Sequence, residues 1–387
     1  MPSAKALLIS ARGPRAGVDF GMTAGREGPD RRRVLGIGLG LAGGLAAPAI
    51  ARATDKLTWR MATAWPKDEP GAGANAGRLA EMIGTLSGGR LTVQVFAAGE
   101  LVAPAELFDA VAAGTVELGH ATSSAWQGRD QAFHFFTGVP FGLTGHEHAG
   151  WLRFGGGQQL WERAYRPFGV VPVFAGSFGP QGAGWFRKEI STPFDLKGLR
   201  MGIGGLGAEI MHRLGVTTVS LPRDELLAAF RSGTIDALEW INPWNDYGAG
   251  LSAYAKLYYM PGFQGIGAAI ELMINRAAYD ALPDDLKAVI RHAAMASAME
   301  TYADYTYNNI SVARPLIENG VALRTLPDPI VRTLARESEM LLREIAGSSP
   351  MANEVYRSFI TFRAQAADYA KTGDLAVLQM RQIALET

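Results

Sequence analysis

Apolar positions along this chain follow two rhythms, short runs with a period of two and longer runs with a helical period. Residues 57–63 (Leu-Thr-Trp-Arg-Met-Ala-Thr) read as a strand that stops at Ala64-Trp65-Pro66. A helical stretch carrying Leu79, Met82 and Ile83 follows, then a strand over 91–96. That β-α-β opening predicts a parallel sheet. Val170-Val171-Pro172-Val173-Phe174 predicts another buried strand, leading to Phe178-Gly179-Pro180-Gln181. The turn 191–198 precedes a strand over 199–203 and starts a second β-α-β unit. Residues 284–314 hold neither proline nor glycine and predict one long helix, opened by Asp284-Asp285 against its macrodipole. More helices are expected from Asp328 to the end.

One of these patterns occurs twice. Residues 106–117 (Glu-Leu-Phe-Asp-Ala-Val-Ala-Ala-Gly-Thr-Val-Glu) return as 225–236 (Glu-Leu-Leu-Ala-Ala-Phe-Arg-Ser-Gly-Thr-Ile-Asp). Each copy reads as an amphipathic helix, a Gly-Thr stop and the start of a buried strand. Ligands of open α/β sheets bind beyond the carboxyl ends of strands. Two such units therefore predict two α/β lobes, each offering a strand end to a shared cleft.

Composition adds an address. Arg31-Arg32-Arg33-Val34-Leu35 followed by an uncharged run to Ile50 and by Ala51-Arg52-Ala53 reads as a twin-arginine signal peptide cleaved after Ala53. Residues 1–21 add no pattern, and Met22 offers a second start. Eight of the 37 basic and three of the 37 acidic groups lie in residues 1–53, leaving 29 and 34, a net charge of −5. A mildly acidic chain gives no reason to expect nucleic acid. The chain has no cysteine, so disulfides, thiolate metal sites and cysteine nucleophiles are excluded.

Candidate chemistry is sparse. Gly202-Ile203-Gly204-Gly205-Leu206-Gly207 matches a G-x-G-x-x-G nucleotide loop, but the strand before it carries Arg200, and a glycine-rich cleft wall is the preferred reading. An exported nucleotide-dependent oxidoreductase using Gly202–Gly207 stands as the alternative. His146-Glu147-His148 sits where a loop enters a helix and reads as solvated or capping rather than metal-binding. No nucleophile elbow or triad order occurs, so no catalytic residue is assigned. Aromatic residues gather after strands instead. Trp65, Trp240 and Trp244 stand beside turn residues and are expected to wall a pocket, whereas Trp185 is expected to pack in a core.

From about Thr58 onward the chain resembles the solute receptors of TRAP transporters, within the branch that includes 2-oxo acid and mannitol/chloroaromatic-type binding proteins. The resemblance rests on Ala64-Trp65-Pro66, the segments 130–142 and 181–190, Asp195-Leu196-Lys197-Gly198-Leu199-Arg200-Met201, Glu239-Trp240-Ile241-Asn242-Pro243 and Tyr258-Tyr259-Met260-Pro261-Gly262-Phe263. It implies a two-lobed periplasmic α/β solute-binding fold with a hinge, a long lobe-spanning helix and a helical C-terminal extension. On that pattern residues 54–177 form lobe I, with return segments after about 262. Residues 178–261 form lobe II, 284–314 the long helix and 328–387 the extension. The resemblance further implies a receptor rather than an enzyme. It would deliver a small organic solute, an organic acid, to TRAP permease subunits, and would form a homodimer through its extension. A receptor feeding a sensor is the remaining variant.

The resemblance also carries site residues. Gln181 matches the glutamine that meets ligand and cation, Glu239 the acidic cation ligand, and Trp240 the neighbour whose carbonyl also coordinates. Such oxygen donors imply Na⁺ or Ca²⁺ and no organic cofactor. Trp65 and Phe263 join the ligand wall. Two positions depart from the pattern. Gly202 stands where an arginine is expected, and Gln264-Gly265 where an acidic residue is expected. The expectation is that space opens at both walls and that small 2-oxo acids such as pyruvate bind weakly; the competing expectation is that Arg200 replaces the lost arginine and the ligand remains a carboxylate.

Overall fold

The computed structural model describes residues 56–67 and 69–386. The signal-peptide reading lies outside them. Eleven strands form two sheets among the described residues. In chain order they are β1 (Leu57–Thr63), β2 (Leu91–Phe96), β3 (Leu118–Ala121), β4 (Val170–Ser177), β5 (Gly184–Phe186) and β6 (Arg200–Gly202). Then come β7 (Thr217–Val219), β8 (Ala237–Leu238), β9 (Leu257–Tyr259), β10 (Ala269–Asn275) and β11 (Ala322–Arg324).

The first sheet runs β2-β1-β3-β10-β4 and the second β11-β9-β5-β8-β6-β7. In each, the first strand of a β-α-β unit lies parallel between its two successors, β1 between β2 and β3, and β6 between β7 and β8. The two-fold pattern of the sequence is thus a two-fold unit of the fold. Helix Leu107–Ala112 leads through Gly114 into β3, and helix Arg223–Ser232 leads through Gly233 into β8. Both glycines adopt positive φ, 74° and 79°, the left-handed turn that ends a helix without a side-chain clash.

Each lobe has its own core. In the first, Met61, Leu79, Ile83, Leu272 and Ile290 pack between the sheet and the helices Ala72–Leu86 and Asp284–Glu318. Strand β10 is buried along its whole length, which explains its nearly unbroken apolar sequence. In the second lobe, Trp185 stacks on Tyr258 with ring centroids 4.4 Å apart, above Phe230 and Leu238.

The long helix spans Asp284–Glu318, one turn beyond the expected end at residue 314. Proline normally ends a helix, but here Pro315 is inside, and the fully buried Leu316 ties the last turn into the second lobe's core. Thirty-five residues extend about 52 Å, enough to pack on β4 in the first lobe and on helix Pro243–Gly248 in the second. Segments after 262 serve both lobes: β10 lies in the first sheet, and β11 pairs in parallel with β9 in the second.

Three helices finish the chain. Asp328–Ala346 packs on the second lobe's helix Gly205–Arg213, and Pro350–Ala370 packs on the first lobe's helices Gly145–Phe154 and Gly157–Tyr165. The last, Asp374–Leu385, buries no residue and exposes Leu375, Leu378, Met380 and Ile383. No helix among the described residues is long and apolar enough to cross a membrane.

Candidate functional site

Two paired segments carry the chain between the sheets, 178–183 and 260–268. They are cross-linked by Phe178 N–H to the Ala268 carbonyl (2.9 Å), Gln181 N–H to the Gly265 carbonyl (2.8 Å) and Gly262 N–H to the Gln181 carbonyl (2.7 Å). Beside this crossing the strand ends of both lobes enclose a cavity of about 310 Å³. The first lobe contributes Trp65 and Glu69 after β1, together with His134. The second contributes Gly204–Gly207 after β6, Arg223, and Glu239-Trp240-Ile241 after β8. Gln181 and Gln264 come from the crossing itself.

Each wall has a local cause. Trp65 donates its indole N–H to His120 Nδ1 (2.6 Å) and meets Phe178 edge-on. Burial pushes the His120 imidazole down to about 3, so it stays neutral and able to accept. Trp240 lies under the Arg223 guanidinium, 4.5 Å from ring centroid to Cζ. Gln181 is fixed by its two main-chain bonds, and its Oε1 stands 1.6 Å from the point a Cβ on Gly265 would occupy. Any larger residue at 265 would expel that amide. Gln264 donates from Nε2 to the Gly182 carbonyl (2.7 Å), while its buried Oε1 has no partner.

The cavity holds two acidic groups, Glu69 and Glu239; Glu239 lies on the second lobe. Burial first, and then the negative Asp246, push its carboxyl up to about 8. Asp246 itself is pushed up to about 7 by burial, against the hydrogen bonds it accepts from Trp185 Nε1 (2.9 Å) and Ile241 N–H (3.1 Å). His134 is held down at about 4 by burial and carries no charge at neutral pH. These are the marks of a polar site made short of counter-charge.

Of the residues expected from sequence, the cavity brings together Gln181, Glu239, Trp240 and Trp65. Three others lie elsewhere. Gly202 borders no part of the cavity. A Cβ there would meet Leu226, Leu238 and Ile235 side chains at 2.6–3.2 Å, so the site of the expected arginine is filled by the lobe's own core. Arg200 shares the face of Gly202 but sits at the opposite end of β6, away from the carboxyl strand ends. It binds Asp236 through Nε (3.1 Å) and an Nη (3.0 Å). Phe263 is buried against Phe141, centroids 5.9 Å apart. The two glycines therefore open no space. Leucines fill one gap and Gln181 the other. Trp244 packs on Tyr305 (5.6 Å) outside the cavity wall, and Glu147 caps its helix through Thr144. Sequence reasoning passed over Glu69 and Arg223, which lie in no motif, and gave no site role to His134, inside the segment 130–142, or to Gln264, beside Gly265.

Two α/β lobes joined by a paired crossing, with one small oxygen-lined cavity at their strand ends, define a two-lobed solute receptor. A cavity of this size admits a ligand of a few heavy atoms, not a dinucleotide. The chain belongs to the family described as bacterial extracellular solute-binding protein, family 7, which it matches over residues 61–348. It is 36% identical over 320 residues to a monocarboxylate 2-oxoacid-binding periplasmic protein of Nostoc sp., covering 83% of this chain and 88% of the relative. Among solved structures it resembles a TRAP transporter solute-binding protein of Bordetella bronchiseptica, a mixed-occupancy dimer with copurified calcium and picolinate. There the TM-score is 0.81 and the identity 33%, over 86% of this chain and 98% of that one. A TRAP periplasmic solute-binding protein of Pseudoalteromonas atlantica with bound sodium and pyruvate gives a TM-score of 0.78 at 34% identity, over 84% and 99%. This protein is a TRAP-type solute receptor, and the oxidoreductase alternative gains no support.

Proposed function

We propose that the protein is an extracytoplasmic receptor that closes its lobes over a small monocarboxylate, of the 2-oxo acid or heteroaromatic acid kind, and hands it to TRAP membrane subunits. The observation that carries this reading is the make-up of the cavity: Glu239, two amide side chains and an arginine stacked on an indole, in about 310 Å³. Free N–H groups at the start of helix Gly205–Arg213 add a second attraction for a carboxylate. The ligands named for the relatives are of matching size and charge.

The same donors fit a hard cation. The buried Gln264 Oε1 lacks a partner, and burial together with the neighbouring Asp246 raises the Glu239 carboxyl. Glu239, Gln181 and the Trp240 carbonyl would hold Na⁺ or Ca²⁺, which supplies positive charge to the ligand's carboxylate. This reading assigns no catalytic residue. The exposed apolar face of helix Asp374–Leu385 supports a homodimer built through the C-terminal extension. Export follows the twin-arginine pattern of residues 31–53, so replacing Arg31 and Arg32 by lysine should hold the precursor in the cytoplasm, and normal export of that variant would remove the assignment.

A thermal-shift series with pyruvate, picolinate and a neutral polyol tests the ligand class. The acids should raise the melting midpoint with concentration, by about 2.7 kcal/mol of added stability at one hundred times Kd, and more steeply with Ca²⁺ or Na⁺ present. A shift with the polyol alone would overturn the reading.

A further inference from the structure

The expected carboxylate anchor is missing from the end of β6, yet the cavity is not without a cation. The geometry points to Arg223, the first residue of helix Arg223–Ser232, as the group that receives the ligand's carboxylate in this receptor and restricts it to monocarboxylates. This inference rests on the monocarboxylate reading above and names the residue that enforces it.

Arg223 is the only positively charged side chain among the described residues that line the cavity. Its position follows from what replaced the usual arginine. Leu226, one turn along the same helix, fills the space over Gly202, which seats the start of that helix against the cavity. Trp240 supports one face of the guanidinium at 4.5 Å, and Glu69, reaching across from the first lobe, pairs with one Nη. No other described residue accepts a hydrogen bond from Arg223, so the rest of its donor edge remains available. A planar fork with two free N–H groups is suited to a carboxylate.

Glu69 explains the restriction. Its side chain is only 7% exposed, and its contact with Arg223 joins the two lobes at the cavity wall. Glu239 is a second acidic group of the same cavity. A ligand bringing one carboxylate finds a partner in Arg223, and a second carboxylate on that side of the cavity would face the buried Glu69. Glu69 is a positioning residue in this scheme, holding Arg223 on its indole.

The test is calorimetric titration of the full mature chain with pyruvate, its neutral amide pyruvamide, and 2-oxoglutarate, in the presence of Ca²⁺. Wild type should prefer pyruvate over pyruvamide by at least about tenfold and bind 2-oxoglutarate weakly. Arg223→Met should lose pyruvate affinity by about thirtyfold or more and erase the preference over pyruvamide. Arg223→Lys should recover part of the preference, and Glu69→Gln should raise 2-oxoglutarate affinity. If Arg223 merely joined the lobes, Arg223→Met would weaken pyruvate and pyruvamide equally, and that result overturns the inference. Unchanged pyruvate binding by Arg223→Met overturns it alone, leaving the monocarboxylate reading intact. Failure of wild type to bind either pyruvate or picolinate would remove both.

Discussion

Cation binding in this cleft should be tied to the release of a proton from Glu239, and the structure sets the size of the effect. An ordinary glutamate titrates near 4.5, whereas burial and the neighbouring Asp246 raise this one to about 8. A cation requires the carboxylate, so below pH 8 each ion bound displaces close to one proton, and the apparent affinity falls up to tenfold per pH unit. Between pH 8.5 and 6.5 that amounts to roughly 25-fold, or nearer tenfold because Glu239 keeps some surface open to the cavity. Stability of the cation-free protein moves the same way. A carboxyl whose folded pKa is raised contributes stability that is complete below about pH 4.5 and lost as the pH rises through about 8. Without cation the melting temperature should therefore decline across that window, and Ca²⁺ should restore it most at the alkaline end. Glu239→Gln should flatten its own part of the decline and abolish tight cation binding at every pH. The assay is calorimetric Ca²⁺ titration at pH 6.5, 7.5 and 8.5 in two buffers of different ionisation enthalpy, which counts the protons released. A dissociation constant that is constant from pH 6.5 to 8.5, with no proton released, would refute the reasoning.

Other outcomes follow from single contacts. Trp240→Ala removes an indole that both walls the cavity and supports Arg223, and should weaken pyruvate binding by roughly 2 kcal/mol or more, read by titration; an unchanged constant would reassign the ring to packing. Gly265→Ala places a methyl where Gln181 Oε1 now stands, and should lose cation-dependent binding while far-UV circular dichroism stays native. Truncation after residue 373 removes a helix with no buried residue, so the monomer fold should survive while light scattering shows loss of a dimer; a full-length chain that scatters as a monomer would dismiss the dimer itself.

The parts of this fold that were legible in the sequence are those set by local periodicity. The two β-α-β units, the paired Gly-Thr helix stops and the long helix opened by Asp284-Asp285 each rest on spacing and on glycine or proline chemistry. Trp65 and Trp240 were legible as aromatic residues that follow strands, whereas Gln181 and Glu239 were legible only through the resemblance to a known family. What stayed hidden depends on tertiary neighbours. Which way a Cβ at 202 would point, and that Leu226 fills the gap, are settled only when helix Arg223–Ser232 packs on β6. Arg223 itself reads as a solvated residue in the first turn of a helix, since nothing local announces Glu69 or Trp240. Phe263 follows a Pro-Gly turn much as a pocket aromatic would, yet its carbonyl accepts from Phe141 N–H (2.8 Å), and its ring turns into the core beside Phe141. Pro315 fails to end its helix because buried packing of Leu316 outweighs the lost hydrogen bond.

The central claim is that the hollow between Trp65 and Trp240 holds a small monocarboxylate together with a cation. A crystal structure of the mature protein grown with pyruvate and Ca²⁺ tests it directly. The account predicts ligand density in that hollow, with its carboxylate against Arg223 and an ion held by Glu239 and Gln181. Pyruvate seated elsewhere, such as the outer groove of about 680 Å³ beside Phe154 and Met299, with the inter-lobe cavity empty, would contradict it.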